Sequence, residues 1–117
     1  MLTAVNIIIA VMTIAFGAMA FSAPGYAARA LDLAPTGSTM GLTELRASAG
    51  GLFVAMGLAC LIVGDWTWAA LGIAYTGAAT GRVLSIFIDR PPQPKAFVWF
   101  LLEALPAAWL LTLNWPA

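Results

Sequence analysis

Four long stretches of the chain are apolar and carry few charges, and polar or helix-breaking residues separate them. They cover about residues 2–21, 43–63, 66–88 and 96–113. The hydrocarbon core of a bilayer is about 30 Å thick and needs about 20 residues of helix to cross it, so each stretch is long enough. The pattern predicts an all-α polytopic membrane protein, in which residues 1–117 form a single domain, a bundle of four transmembrane helices.

Local signals refine the ends of these helices. Thr43 is a predicted N-cap, followed by Glu44 in the first turn, where the helix dipole favours an anion. Residues 24–33 start with proline and continue with helical spacing of apolar residues, which predicts a short helix lying in the membrane interface. We expect residues 90–94 to form an extended connector and Pro106 to kink the fourth helix.

Basic residues predict the orientation of the helices. They lie in or beside the connections after the first and third stretches: Arg29, Arg46, Arg90 and Lys95. Because basic loops remain in the cytoplasm, both termini are expected outside. The first stretch has a small-x-small pattern at residues 18–20 but no basic residue before it, so we expect a retained helix rather than a cleaved signal peptide.

Composition agrees with lipid as the solvent and narrows the chemistry. The chain is 62% hydrophobic and 9% charged, with a formal net charge of zero. A neutral surface does not suit nucleic acid, which binds basic patches. The sequence has no histidine and a single cysteine, Cys60, so we expect no metal site and no cofactor.

Two charged residues lie at matching depths in the predicted helices. Arg82 is about 10 Å from the cytoplasmic end of the third helix, and Glu103 is about 12 Å from the same side in the fourth. A lone charge at such depth is unfavourable, so the two are expected to pair. Glu44 and Arg46 approach the same layer, and Ser85 adds a hydroxyl. This polar cluster is either a structural staple or a binding site or ion path.

Small and aromatic residues predict helix contacts. Gly77 and Gly81 form a GxxxG pair, and Gly51, next to Gly50, begins a stripe of small residues at every fourth position of the second helix; such stripes let helices approach closely. The pair serves either a seam inside the bundle or a homodimer. Aromatic residues crowd the fourth helix and face lipid or a partner, or they form a ring-stacking quinone or pigment pocket: Phe97, Trp99, Phe100 and Trp109.

Two motifs resemble a known family. They are Gly41-Leu-Thr-Glu-Leu-Arg-Ala47, followed by Gly50-Gly51, and Gly81-Arg-Val-Leu-Ser85. They resemble the small bacterial membrane proteins known as domain of unknown function 4345. The resemblance implies a four-helix fold in a bacterial inner membrane, without an assigned activity. The positions carried over from the family pattern are Glu44, Arg46, Gly50, Gly51, Gly81, Arg82, Ser85 and Glu103.

These observations favour a non-catalytic membrane protein. No nucleophile with a matching base is visible, so we do not expect an enzyme. The preferred hypothesis is an accessory, structural or assembly subunit, whose partners are the lipid bilayer and other membrane subunits or further copies of itself. The alternative is a small transporter or lipophile-binding protein that uses the Glu/Arg cluster. The chain is similar in size to small multidrug transporters but lacks their first-helix glutamate.

Overall fold

The computed structural model describes residues 2–34 and 36–115, and these residues form helices and short connections without any strand. In chain order, the helices are α1 (Leu2–Ser22), α2 (Pro24–Ala30), α3 (Met40–Glu44), the π-helix π1 (Leu45–Gly51), α4 (Leu52–Ile62), α5 (Trp66–Ile88) and α6 (Lys95–Leu113). The prediction of an all-helical chain is confirmed.

Four helical segments are long and apolar enough to cross a membrane: Thr3–Ser22, Met40–Ile62, Trp66–Ile88 and Lys95–Leu113. Their outward-facing side chains are also apolar, since Ile62 is 79% exposed, Phe87 76% and Ile88 67%. Water would penalise that much exposed apolar surface, whereas lipid does not. The chain is therefore all-helical and has the character of a membrane protein.

The chain divides into two compact units, the first covering Thr3–Ile62. Glycines let α1 approach the π1–α4 segment within this unit. A Cβ atom on Gly17 would lie 2.9 Å from the Gly50 carbonyl oxygen, and one on Gly57 would lie 3.0 Å from that of Ala10. Real Cβ atoms do not approach other atoms at 2.9 Å, so the contact at Gly17 needs a residue without a side chain.

The second apolar segment begins earlier than predicted. Thr43 is not an N-cap, because the helix starts at Met40 and the backbone N–H of Thr43 already donates to the carbonyl of Thr39. The Ser38 hydroxyl accepts the N–H of Met40 at 3.2 Å and so serves one of the free donors at the helix start. Helix π1 follows from Leu45, and π-helices within α-helices are rare and concentrate at functional positions.

Helix α2 is present but ends at Ala30, three residues before the predicted boundary at 33. A Schellman motif ends it: the N–H of Asp32 donates to Arg29 and the N–H of Leu33 donates to Ala28, while Asp32 adopts a positive φ of 60°. Sequence periodicity did not reveal this stop because the motif has Asp32 where glycine is usual.

The second unit begins at Val63 and contains the hairpin of α5 and α6. Two positive φ angles, 68° at Gly64 and 56° at Asp65, shape the tight turn that leads into α5. The hairpin packs around Leu71, Tyr75 and Leu110, which are 2%, 9% and 0% exposed. Pro106 lies inside α6 without ending it.

Candidate functional site

An ion pair joins the two helices of the second unit. The Nε of Arg82 donates to Oε1 of Glu103 at 3.0 Å, and its Nη2 donates to Oε2 at 2.9 Å. The side chains are 33% and 16% exposed, respectively. This two-bond geometry is the strong form of an arginine–carboxylate contact, and it fixes the register of α5 against α6. The pairing is direct.

Both charges lie on the packing faces of their helices. Arg82 follows the buried residues Tyr75 and Ala79 by seven and three positions, and Glu103 precedes the buried Ala107 and Leu110 by four and seven. Residues at these intervals share a helix face, so each charge continues a row of buried residues. The sequence therefore directs the two side chains towards each other once the hairpin forms.

Ser85 lies one turn along α5 from Arg82 but does not bridge the ion pair. Its hydroxyl donates to a carboxylate oxygen of Asp89 at 2.7 Å. Ser85, like Arg82, is partly buried, whereas Asp89 is exposed at the end of the helix. The three side chains at positions 82, 85 and 89 form a row of polar residues from the helix end to the ion pair.

Glu44 and Arg46 belong to the first unit. The hydroxyl of Ser48 donates to the Glu44 carbonyl at 2.9 Å and to its carboxylate at 3.1 Å. The Nη1 of Arg46 donates to the backbone carbonyl of Phe21 at 2.6 Å. That carbonyl lies in the last turn of α1, where backbone acceptors lack helical donors and the dipole favours a cation.

Phe21 is also where π1 touches α1. A Cβ atom on Gly50 would lie 2.8 Å from both the N and the Cα of Phe21, and one on Gly51 would lie 3.7 Å from its ring. The two ends of π1 therefore contact the same residue, Arg46 through a hydrogen bond and Gly50 through the backbone. Sequence reasoning missed the role of Phe21, because this residue contributes a backbone carbonyl. The available signal was Pro24, which lies just beyond the end of α1 and so marks where carbonyls without helical donors occur.

The two other glycines of the predicted packing set occupy a different surface. Gly77 and Gly81 lie on the face of α5 opposite the residues that pack on α6, and a Cβ atom on either would meet no atom within 4 Å in that hairpin. The structure therefore gives them no packing role between α5 and α6.

One pocket and the spacing of the acidic and thiol side chains bear on whether the described residues could bind a ligand or a metal ion. A shallow apolar pocket of about 140 Å³ lies in the first unit, between α2, the following connection and the start of α3. No three Asp, Glu or Cys side chains among the described residues are close enough together to hold a metal ion. The arrangement thus supplies an ion pair and contacts between helices.

Comparison with known proteins identifies the family of this chain but assigns it no activity. No curated protein and no solved structure matches this chain. A family model described as "Domain of unknown function (DUF4345)" matches residues 1–114, a range that includes both members of the Arg82–Glu103 pair. The chain therefore belongs to the DUF4345 family.

Proposed function

We propose that this protein is a non-catalytic integral membrane protein that serves as an accessory, structural or assembly subunit of a larger membrane complex. The observation that carries the proposal is the use of its charges: Arg82 and Glu103 pair with each other, and Arg46 binds the end of α1. Such contacts hold helices in place. A catalytic site would instead hold a reactive group ready for a substrate.

The outer surface supports the same proposal. Large apolar side chains are exposed along all four membrane-length segments, among them Ile8, Leu58, Leu84 and Leu105. Two of the connections are short, with three residues between α4 and α5 and six between α5 and α6. Exposed apolar helix faces of this kind contact lipid or other transmembrane helices.

The mass of the particle extracted from native membranes with a mild detergent tests the subunit role. Native mass spectrometry with peptide identification is expected to find this chain in a large assembly with the same companions in repeated preparations. The double variant Arg82→Met/Glu103→Leu is the matched control, because an internal tie replaced by apolar side chains leaves the outer faces intact. Recovery of the wild-type chain as a lone monomer would contradict the proposal.

We also propose a bacterial inner-membrane location with both termini outside. Arg29 lies in α2, Arg46 in π1, and Arg90 and Lys95 flank the α5–α6 connection, so the basic residues lie beside the same two connections. Positive residues are retained on the cytoplasmic side. A C-terminal alkaline phosphatase fusion is expected to be active and a green fluorescent protein fusion dark; the reverse result would invert the orientation.

A small transporter or lipophile-binding protein is the second candidate. One observation favours it: the Arg82 side chain stays one-third exposed although it is paired. Charged residues within membrane spans mark substrate or ion paths in many proteins. Charge-driven uptake into vesicles reconstituted with the wild-type chain, lost in Arg82→Ala, would support transport. Absence of uptake for protons, inorganic cations and amphiphiles would contradict the transport role.

A further inference from the structure

The guanidinium of Arg82 is only partly used. An arginine has five N–H donors, and Glu103 accepts from Nε and Nη2. Among the described residues of the α5–α6 hairpin, Nη1 has no acceptor. A donor without a partner in an apolar layer is unfavourable, so this edge of Arg82 is suited to receive an acceptor from outside the hairpin.

Small side chains leave that edge open. Helical side chains tilt towards the N-terminus, so the guanidinium of Arg82 lies over the turn that contains Ala78, four positions earlier. Ser85 follows three positions later, and both neighbours are half-buried and small. Larger residues at these two positions would cover the guanidinium, which is consistent with the 33% exposure of Arg82.

The charge of the pair decides what fits there. Arg82 and Glu103 sum to zero, so a carboxylate or phosphate at Nη1 would add an uncompensated negative charge to an apolar layer. A neutral acceptor adds none. Arg82 lies about 9 Å inside the end of α5 at Ile88, so the acceptor must itself be soluble in hydrocarbon.

We infer that Nη1 of Arg82 binds the neutral carbonyl oxygen of a lipid-soluble molecule, of the ketone or quinone class, on the open side of the Arg82–Glu103 pair. Glu103 is a positioning residue in this site, because it holds the guanidinium with its free edge outward. Trp99 and Phe100 precede Glu103 by one turn on α6 and are half-buried, so aromatic rings lie near the level at which a quinone ring would bind. The inference deepens the lipophile-binding candidate and does not depend on the subunit role.

Quenching of tryptophan fluorescence by a decyl-substituted 1,4-benzoquinone tests the site, with the full chain in phosphatidylcholine nanodiscs. The wild type is expected to show a saturable component above the linear quenching caused by partitioned probe. Ala78→Leu, which covers the guanidinium edge, is expected to weaken that component about tenfold or more, the equivalent of one hydrogen bond to a charged group. Decylbenzene, which lacks a carbonyl, is expected not to compete.

Thr80→Leu is the matched control, since it adds similar bulk on the exposed outer side of α5 near the same level. Its apparent affinity for the quinone is expected to stay within about twofold of the wild type. Circular dichroism checks that both variants fold. Three results would each overturn the inference: no saturable component in the wild type, equal weakening in both variants, or competition by decylbenzene. Because the assay uses the isolated chain, its failure leaves the assembly measurement unaffected.

Discussion

Both units bring helices close at a glycine, since a Cβ atom on Gly72 of α5 would lie 2.9 Å from the Leu110 Cβ atom, but the second unit adds an ion pair between its two helices. In the first unit, the helices approach closely because glycine has no side chain at the contact. A Cβ atom on Gly17 would lie 2.9 Å from atoms of the facing segment, and one on Gly50 would lie 2.8 Å from them. In the second, contact includes a charged tie, with Arg82 and Glu103 linked by two hydrogen bonds. Lipid solvates an apolar helix as well as another helix does, so close packing and polar pairing are the remaining ways to choose a neighbour.

The difference shows which residues are sensitive in each unit. Around Gly50, the space available determines stability, and any added side-chain atom is expected to destabilise the fold whatever its polarity. Around Arg82, charge balance determines stability, and removal of one member of the ion pair is expected to destabilise the fold more than removal of both. Substitutions in the two units separate the effect of space from the effect of charge.

Loss of one member of the ion pair is expected to have the largest effect. Glu103→Leu leaves the guanidinium of Arg82 without its carboxylate and should lower the free energy of unfolding by about 3 kcal/mol, the low end of the range for a broken buried pair because Arg82 is partly exposed. Denaturation in mixed detergent micelles, followed by circular dichroism, measures the change. The double variant Arg82→Met/Glu103→Leu should recover most of the loss. A single variant as stable as wild type would show that the pair does not hold the hairpin.

An added methyl group at Gly50 comes next. Gly50→Ala brings a Cβ atom to 2.8 Å from the backbone of Phe21, which cannot rotate away, so a loss of about 1–3 kcal/mol is expected in the same denaturation assay. Gly51→Ala is the neighbouring control, since the nearest contacts of its Cβ atom are at 3.5 Å or more. It should leave stability within about 1 kcal/mol of wild type. Equal effects at both positions would remove the shape argument.

The contact between Arg46 and the end of α1 is expected to matter less. Arg46→Met removes a charge-assisted hydrogen bond to the Phe21 carbonyl, but the arginine is exposed, so the expected loss is about 1 kcal/mol. Arg29→Met is the comparison variant, because Arg29 is another exposed arginine of the same unit. The difference between the two variants isolates the contact; no difference would mean that Arg46 does not stabilise the first unit.

The smallest change in stability is expected on the outer face of α5. Gly77→Ala/Gly81→Ala adds Cβ atoms that meet nothing within the hairpin and improves helix propensity, so the free energy of unfolding should stay within about 1 kcal/mol of wild type. A fall of more than about 2 kcal/mol would show that this face packs inside the folded chain. Native mass spectrometry of the same variant reports whether the face joins two copies instead.

Much of the fold could be predicted from sequence because hydropathy is a property of single residues. The segment 66–88 matches α5 at both ends, and the segments 2–21 and 96–113 differ from α1 and α6 by one residue at one end. Boundaries set by hydrogen bonds were harder. The stop of α2 at Ala30 and the start of α3 at Met40 depend on contacts of Asp32, Leu33 and Ser38, which hydropathy does not report.

The candidate site divides in the same way. Sequence alone placed Arg82 and Glu103 at matching depths, because the rise of a helix per residue is fixed and the helices run antiparallel. It could not find the role of Phe21, whose backbone carbonyl accepts from Arg46 and whose backbone closes on Gly50. Every residue has a backbone carbonyl, so the sequence does not indicate which carbonyl will accept a hydrogen bond. Such partners can be identified only in the folded chain.

The sequence by itself determined that this is a helical chain with four segments long and apolar enough to span a membrane, and with an acid and a base at matching positions in the last two, since composition, length and helical rise are local quantities. Only the tertiary structure decided that Ser85 binds Asp89 rather than the ion pair, that Arg46 binds the end of α1, and that Gly77 and Gly81 face away from α6. These outcomes depend on the rotation of one helix against another and on the π-helix at Leu45–Gly51, which are set by packing between segments distant in the chain.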